Sequence, residues 1–204
     1  TADSKLCENI IIGDRTVSAP SPYQNNINVT LDIPDAVVNL PEGKSINGTL
    51  TLSGDNMSLV NEGTINNLML NGNDLEAVNL NTISASAKIS GDNVVFYNGT
   101  AENTGAKLQH FETTAKNTIA YNYGTIDRGT AGGHALQFGN PQTPGTTAAF
   151  HNYGTVIGGG SGNSSDYIIY APRFDNVKVV NYAGSTMQKG GHWFIAYGSD
   201  EAPD

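Results

Sequence analysis

The chain has 204 residues, enough for one domain with a sizeable core, and only 14% of them are charged. Ten Lys and Arg against 19 Asp and Glu leave a formal charge of −9, which argues against nucleic acid and anionic membrane as partners. No stretch approaches the ~20 apolar residues of a membrane span, and one cysteine, Cys7, rules out an internal disulfide, leaving a free thiol or a partner outside the chain.

The composition is rich in Gly, Asn, Thr and Ser, but short apolar runs of β-branched and aromatic residues recur throughout, and no window keeps a helical period. An all-β protein is expected. The N terminus carries no signal peptide, which predicts a mature or excised segment. Residues 1–40 lack the repeat described below. They contain Ile10-Ile11-Ile12, a turn-rich segment from Ser18 to Pro22 and an alternating run from Ile27 to Ile33. They read as an N-terminal cap with the first coils, ahead of a repeat region over 41–204.

In that region one motif recurs: an apolar step, an Asn, a Gly, then Thr and a second apolar step. Asn47-Gly48-Thr49-Leu50 is a possible instance. Leu59-Val60-Asn61-Glu62-Gly63-Thr64-Ile65 has the full form, and Phe96-Tyr97-Asn98-Gly99-Thr100 is one residue shorter. Copies follow at Ala120 to Ile126, Phe150 to Val156 and Val179 to Thr186, the last with Ala183 added between its Tyr and its Gly, and their glycines at 124, 154 and 184 give a period of 30. Asn and Gly tolerate left-handed backbone, so each copy reads as strand, tight bend, strand.

A third apolar run lies between copies: Ala135-Leu136-Gln137-Phe138, then Tyr167-Ile168-Ile169-Tyr170, then Trp193 to Tyr197. Three short strands per period predict a parallel β-helix, whose coils stack about 4.8 Å apart and pair every strand with its neighbours. Gly63 to Gly99 spans 36 residues and Gly99 to Gly124 spans 25, so the slack must leave the coil as irregular loops. Gly139 to Gly145, Gly158 to Ser165 and Gly105 to Lys116 are the candidates. The last strand ends near Tyr197 with no visible cap, so either the polar, acidic tail from Gly198 to Asp204 covers the end or, as the favoured expectation, the stack continues in a longer parent chain.

Stacking gives two candidate features. Asn61, Asn98, Asn122, Asn152 and Asn181 either form an internal amide ladder or face solvent as turn residues. Tyr123, Tyr153 and Tyr182 each follow the bend Asn and would lie in a row, with Tyr121, His151 and Tyr97 beside it. The row either binds sugars or proteins through flat aromatic contact or braces the bend.

Catalytic signals are thin. His110, His134, His151 and His192 occupy repeat positions, which suits surface or packing roles. Asp127, Arg128, Arg173, Asp175 and Lys178 either stack on one face or are solvated charges. Asn73-Asp74-Leu75-Glu76 offers two carboxylates and no basic neighbour. One cysteine and scattered histidines argue against zinc, and the single Gly158–Gly162 run lacks a calcium-repeat pattern. No metal or cofactor is expected.

The Asn-Tyr-Gly-Thr-Ile/Val and Asn-x-Gly-Thr-Ile repeats over residues 46–197 resemble the passenger domains of bacterial autotransporters and related haemagglutinin-like adhesins. The resemblance implies a right-handed β-helix, secretion through the cell envelope and display on the outer surface. It also implies an adhesive role: attachment to host glycans or matrix proteins, autoaggregation or biofilm formation. The Gly-Asp-Ser-Gly nucleophile motif of the protease members is absent, since Ser53-Gly54-Asp55-Asn56 has Asn in place of the serine. This sequence holds no translocating barrel either, so an excised passenger fragment or a free-standing secreted relative is expected. The expected function is therefore a non-enzymatic adhesin module, with a polysaccharide lyase or hydrolase on the same scaffold as the alternative.

Overall fold

The computed structural model describes residues 10–12, 15–17, 28–140, 145–162, 166–172, 176–190 and 193–196. Its strands in chain order are β1 (Ile10–Ile12), β2 (Arg15–Val17), β3 (Val29–Leu31), β4 (Val37–Leu40), β5 (Ser45–Leu52), β6 (Ser58–Asn61), β7 (Thr64–Leu70), β8 (Glu76–Asn79), β9 (Thr82–Ile89), β10 (Val95–Asn98), β11 (Lys107–Thr113), β12 (Thr118–Asn122), β13 (Thr125–Asp127), β14 (His134–Phe138), β15 (Ala148–Asn152), β16 (Thr155–Ile157), β17 (Tyr167–Tyr170), β18 (Val177–Asn181), β19 (Thr186–Gln188) and β20 (Trp193–Ala196). Among the described residues there is no helix.

The fold is a parallel β-helix with three faces. The first face stacks β4, β6, β8, β10, β12, β15 and β18 in parallel. The second takes the opening residues of β5, β7, β9 and β11, then β13, β16 and β19. The third takes β3, the closing residues of β5, β7, β9 and β11, then β14, β17 and β20. In the lower coils the second and third faces are one strand bent at a register shift, as between Ile65 and Asn67. In the upper coils the second- and third-face strands are separate, with residues 128–133 between β13 and β14 and a break between β16 and β17. At the N-terminal end β1 pairs antiparallel with both β2 and β4, so the first edge of the first face is occupied.

Period-2 alternation sends one side of every strand inward. The first face contributes Val38, Leu59, Ala77, Phe96, Ala120 and Phe150, which are successive partners in register and buried. Ile46, Ile65, Ile83, Leu108, Ile126 and Val156 do the same from the second face. The third contributes Leu50, Leu68, Ala87, Phe111, Leu136 and Ile169. Columns of like residues bury each side chain against the rungs above and below, so a low overall apolar content still yields one continuous core.

The coil length differs from the sequence expectation. Successive corner asparagines are 18, 19, 24, 30 and 29 residues apart. The interval from Gly63 to Gly99 therefore holds a complete extra coil, built on β8 and β9, and is not one period with a long loop. That coil escapes the motif because Asn81 stands where the motif has glycine, one residue before Thr82, the partner of Thr64.

Two other motif assignments also shift. Asn47-Gly48 lies at the bend inside β5, not at the asparagine corner; the corner position there is Leu40, the register partner of Asn61. Thr100 is outside any strand, and the slack after Asn98 is residues 99–106. The expected loop from Gly105 to Lys116 is mostly β11, whose alternation places Leu108, Phe111 and Thr113 in the interior.

The minimal coil is set by a turn between the third and first faces. Ser53-Gly54-Asp55-Asn56, Asn71-Gly72-Asn73-Asp74 and Ser90-Gly91-Asp92-Asn93 stack there. Asn56, Asp74, Asn93 and Asn117 adopt φ between 56° and 60°, a left-handed geometry that Asn and Asp accept best among non-glycine residues. A Cβ on Gly72 would run into the Gly54 carbonyl, and one on Gly91 into that of Gly72. Asp55 Oδ1 accepts the Asn73 amide at 2.8 Å, and Asn73 Oδ1 accepts that of Asp92 at 2.9 Å. Asp55, Asn73 and Asp74, read from sequence as a failed nucleophile motif and a sparse acidic patch, are thus turn residues held by the rungs.

Candidate functional site

The corner between the first and second faces carries an asparagine ladder. Asn61 Nδ2 donates to Asn79 Oδ1 at 2.7 Å, Asn79 to Asn98 at 2.8 Å and Asn98 to Asn122 at 2.8 Å. Asn122 donates to Asn152, and Asn152 to Asn181, both at 2.7 Å. Each donor amide also bonds a backbone carbonyl, as Asn122 does with Thr155 at 3.1 Å. Asn61, Asn79, Asn98, Asn122 and Asn152 are buried, and Asn181 is exposed at the upper end. The column is structural: it satisfies polar groups that the bend turns inward.

Outside that corner lie two aromatic columns. The first runs Tyr97, Tyr121, His151, with ring centroids 5.0 and 5.1 Å apart and planes within 12° and 19°. The second runs Tyr123, Tyr153, Tyr182, at 4.8 and 4.1 Å and within 6° and 8°. Residues 121 and 123 flank the inward Asn122, so the columns are neighbours on one edge. Tyr182 joins them, its hydroxyl 2.9 Å from His151 Nδ1. Tyr153 is the most open, 39% exposed. Hydrogen bonding to the Tyr182 phenol pushes the Tyr153 hydroxyl up to about 12, so it stays protonated at physiological pH.

The rung spacing has a chemical consequence. Rings held parallel at 4–5 Å cover each other's faces, so the row shows solvent a line of ring edges and phenol oxygens. Within each column the flat faces are turned toward the neighbouring ring. What the edge offers a partner is hydrogen bonding beside apolar ring rims, the amphipathic contact tyrosine provides at protein surfaces.

A second site was not singled out by the sequence. On the third face, under the 128–133 segment, a cleft of about 420 Å³ is lined by Ser86, Lys88, His110, Glu112, Arg128 and His134, among others. Register explains the grouping: Lys88 and Glu112 are partners on adjacent rungs, as are Ser86 and His110. Lys88 Nζ sits 2.9 Å and His110 Nε2 3.6 Å from Glu112 Oε2. His110 Nδ1 meets the His134 carbonyl at 2.7 Å, and since a carbonyl only accepts, this nitrogen carries the proton. The His110 contact and then Lys88 hold the Glu112 carboxyl down to about 2, against the opposing effect of burial.

His134 stacks on Tyr170 at 4.5 Å, and burial, then the neighbouring His110 and Arg128, press its imidazole down to about 4. Its Nδ1 is buried without a hydrogen-bond partner. The overhang is pinned by Asp166, which accepts from the Gly133 amide at 3.0 Å and from the Ser161 hydroxyl at 2.8 Å.

These depressed values set the acid response. Between pH 6.5 and about 4 the unfolded chain takes a proton at His134 that the folded chain refuses, so stability falls as pH drops through that window. Glu112 adds a second loss between 4.5 and about 2. Thermal melts should show both steps. His134→Phe should flatten the first while leaving the second, and an unchanged slope from pH 6.5 to 4 would refute the assignment.

Other sequence candidates separate. Asp127 ends a second-face strand and Lys178 lies on the first face, so they do not share a surface. Cys7, Arg173, Asp175 and His192 lie outside the described residues. Among the described residues no group of three or more His, Cys, Asp or Glu side chains could hold a metal ion. Comparison of the chain with family models, curated proteins and solved structures finds no match.

Proposed function

We propose that the chain is a rigid binding module displayed on a bacterial surface, an adhesin that attaches to host glycans or matrix proteins, or to copies of itself, through its aromatic edge. The carrying observation is the pair of adjoining stacked columns, Tyr97-Tyr121-His151 and Tyr123-Tyr153-Tyr182, aligned along one edge of a β-helix. Such a stack is preorganised: neighbouring rings limit the rotamers of each phenol, so little side-chain entropy remains to be lost on contact. The resemblance of the Asn-Tyr-Gly-Thr repeats to autotransporter passengers supports the same reading and supplies the expected setting, secretion and outer-surface display. Glu112, held near 2, is a weak proton acceptor at neutral pH, which supports binding over acid–base catalysis at the third-face cleft.

Tyr123→Ser with Tyr153→Ser should lower binding to a glycan and matrix-protein array, or sedimentation of expressing cells, by about tenfold or more, the scale of an aromatic anchor. Folding should survive, because these rings lie outside the core and ring pairs contribute only ~0.5–1.5 kcal/mol each. A folded double variant that adheres like the parent overturns the reading.

A further inference from the structure

The third-face cleft holds one buried polar atom that the protein does not satisfy and one cation without a paired carboxylate among the described residues. Arg128 spends Nε on the Gly132 carbonyl at 3.1 Å. No carboxylate among the described residues stands within ion-pair distance of its guanidinium, although the group is partly desolvated and Asp166 attracts it from further off. Among the described residues, His134 Nδ1 is the buried side-chain atom left without a hydrogen-bond partner. A buried ring nitrogen without a partner is costly unless something binds it, and the Arg128 guanidinium reaches solvent with donors to spare for a ligand. The side chains around them are polar: Ser86, bonded to Asn67 at 2.8 Å, with Lys88 and Glu112 on the next column.

We propose that this cleft binds an acidic saccharide, with Arg128 and Lys88 taking the carboxylate of a uronic-acid ring and the polar wall taking its hydroxyls. The charge pattern selects this class. Two cations against one lining carboxylate, Glu112, leave room for one negative charge in a protein whose overall charge is −9. A dianionic phosphate would meet the fixed Glu112 anion with nothing to offset its second charge. A sugar hydroxyl, by contrast, can donate to Glu112. The guanidinium fork matches a planar carboxylate. The volume, about 420 Å³, lies in the usual range for small-molecule sites, ~300–1,000 Å³. The overhang that creates the cleft needs an opened bend between second and third faces, so the site lies where the upper coils begin.

The site is independent of the aromatic edge, and titration calorimetry on the full chain can separate them. Trigalacturonate should bind, the neutral galactose trimer at least about tenfold more weakly, and Arg128→Gln should cost about tenfold or more, since it removes a charge-assisted hydrogen bond. Arg128→Lys, which keeps charge and loses the fork, should fall between. Tyr153→Ser should bind trigalacturonate like the parent, so failure here and failure of the adhesive edge are read separately. The proposal is overturned if trigalacturonate does not bind, if the neutral trimer binds equally well, or if Arg128→Gln is unaffected in a folded protein. Inorganic phosphate binding as tightly as trigalacturonate would overturn it too, reducing the cleft to a general anion site.

Discussion

Replacing Asn122 with alanine is expected to lower stability by about 3 kcal/mol, and the thermal midpoint by roughly 6–12 °C. Asn122 sits in the middle of the ladder, where its loss strips Asn98 of an acceptor, Asn152 of a donor and the Thr155 carbonyl of its side-chain partner at once. All lie inside a bend with no protein group to replace them, and a buried polar group left unmet costs ~1–3 kcal/mol. Asn181→Ala, at the exposed top, should cost well under half as much, because that residue only accepts from Asn152.

Asn122→Asp gives the sharper test. The carboxylate keeps the shape but points an anion at Asn152 Oδ1, so its pKa must rise above the unfolded value. Stability relative to the parent is then lost as pH rises and partly recovered on acidification. Equal melting points for the parent, Asn122→Ala and Asn122→Asp at neutral pH would show that the ladder is incidental.

Architecture was legible in this sequence because stacking repeats residues, and repeats survive without any knowledge of partners. The asparagine corner shows at Asn61, Asn98, Asn122, Asn152 and Asn181 because only a small amide can both close the bend and bond its copy one rung away. Asn79 was hidden because the flanking glycine is not what the corner needs; Asn81 fills that place. The 18- and 19-residue coils were written in the turn at Gly54, Gly72 and Gly91, but each copy, taken alone, resembles ordinary loop chemistry. The cleft was illegible for a different reason. Ser86, Lys88, Glu112, Arg128 and His134 share no motif; they meet because register sets Lys88 beside Glu112 and an opened bend carries Arg128 over them. The tyrosine row was visible, yet not its presentation, since which part of a ring faces solvent follows from rung spacing.

The core carries its own prediction, and it tests the register directly. Phe111 approaches Phe96 at 5.6 Å, Phe150 at 5.7 Å and Phe138 at 6.0 Å between ring centroids. Phe96 and Phe150 belong to the first face, with Ala120 on the rung between them. That alanine leaves the gap into which the third-face ring fits. Phe111→Ala should therefore cost ~3–5 kcal/mol, the range for emptying a buried aromatic site. Ala120→Leu alone should cost ~1–3 kcal/mol by overfilling the same space. Together they should cost less than their sum by at least ~1 kcal/mol, because the leucine occupies part of what the ring vacates. Denaturant unfolding of the four proteins measures the coupling. Simple additivity would mean that Ala120 and Phe111 do not face one another, and that the rungs of the first and third faces are matched differently from the pairing that also assembles the cleft.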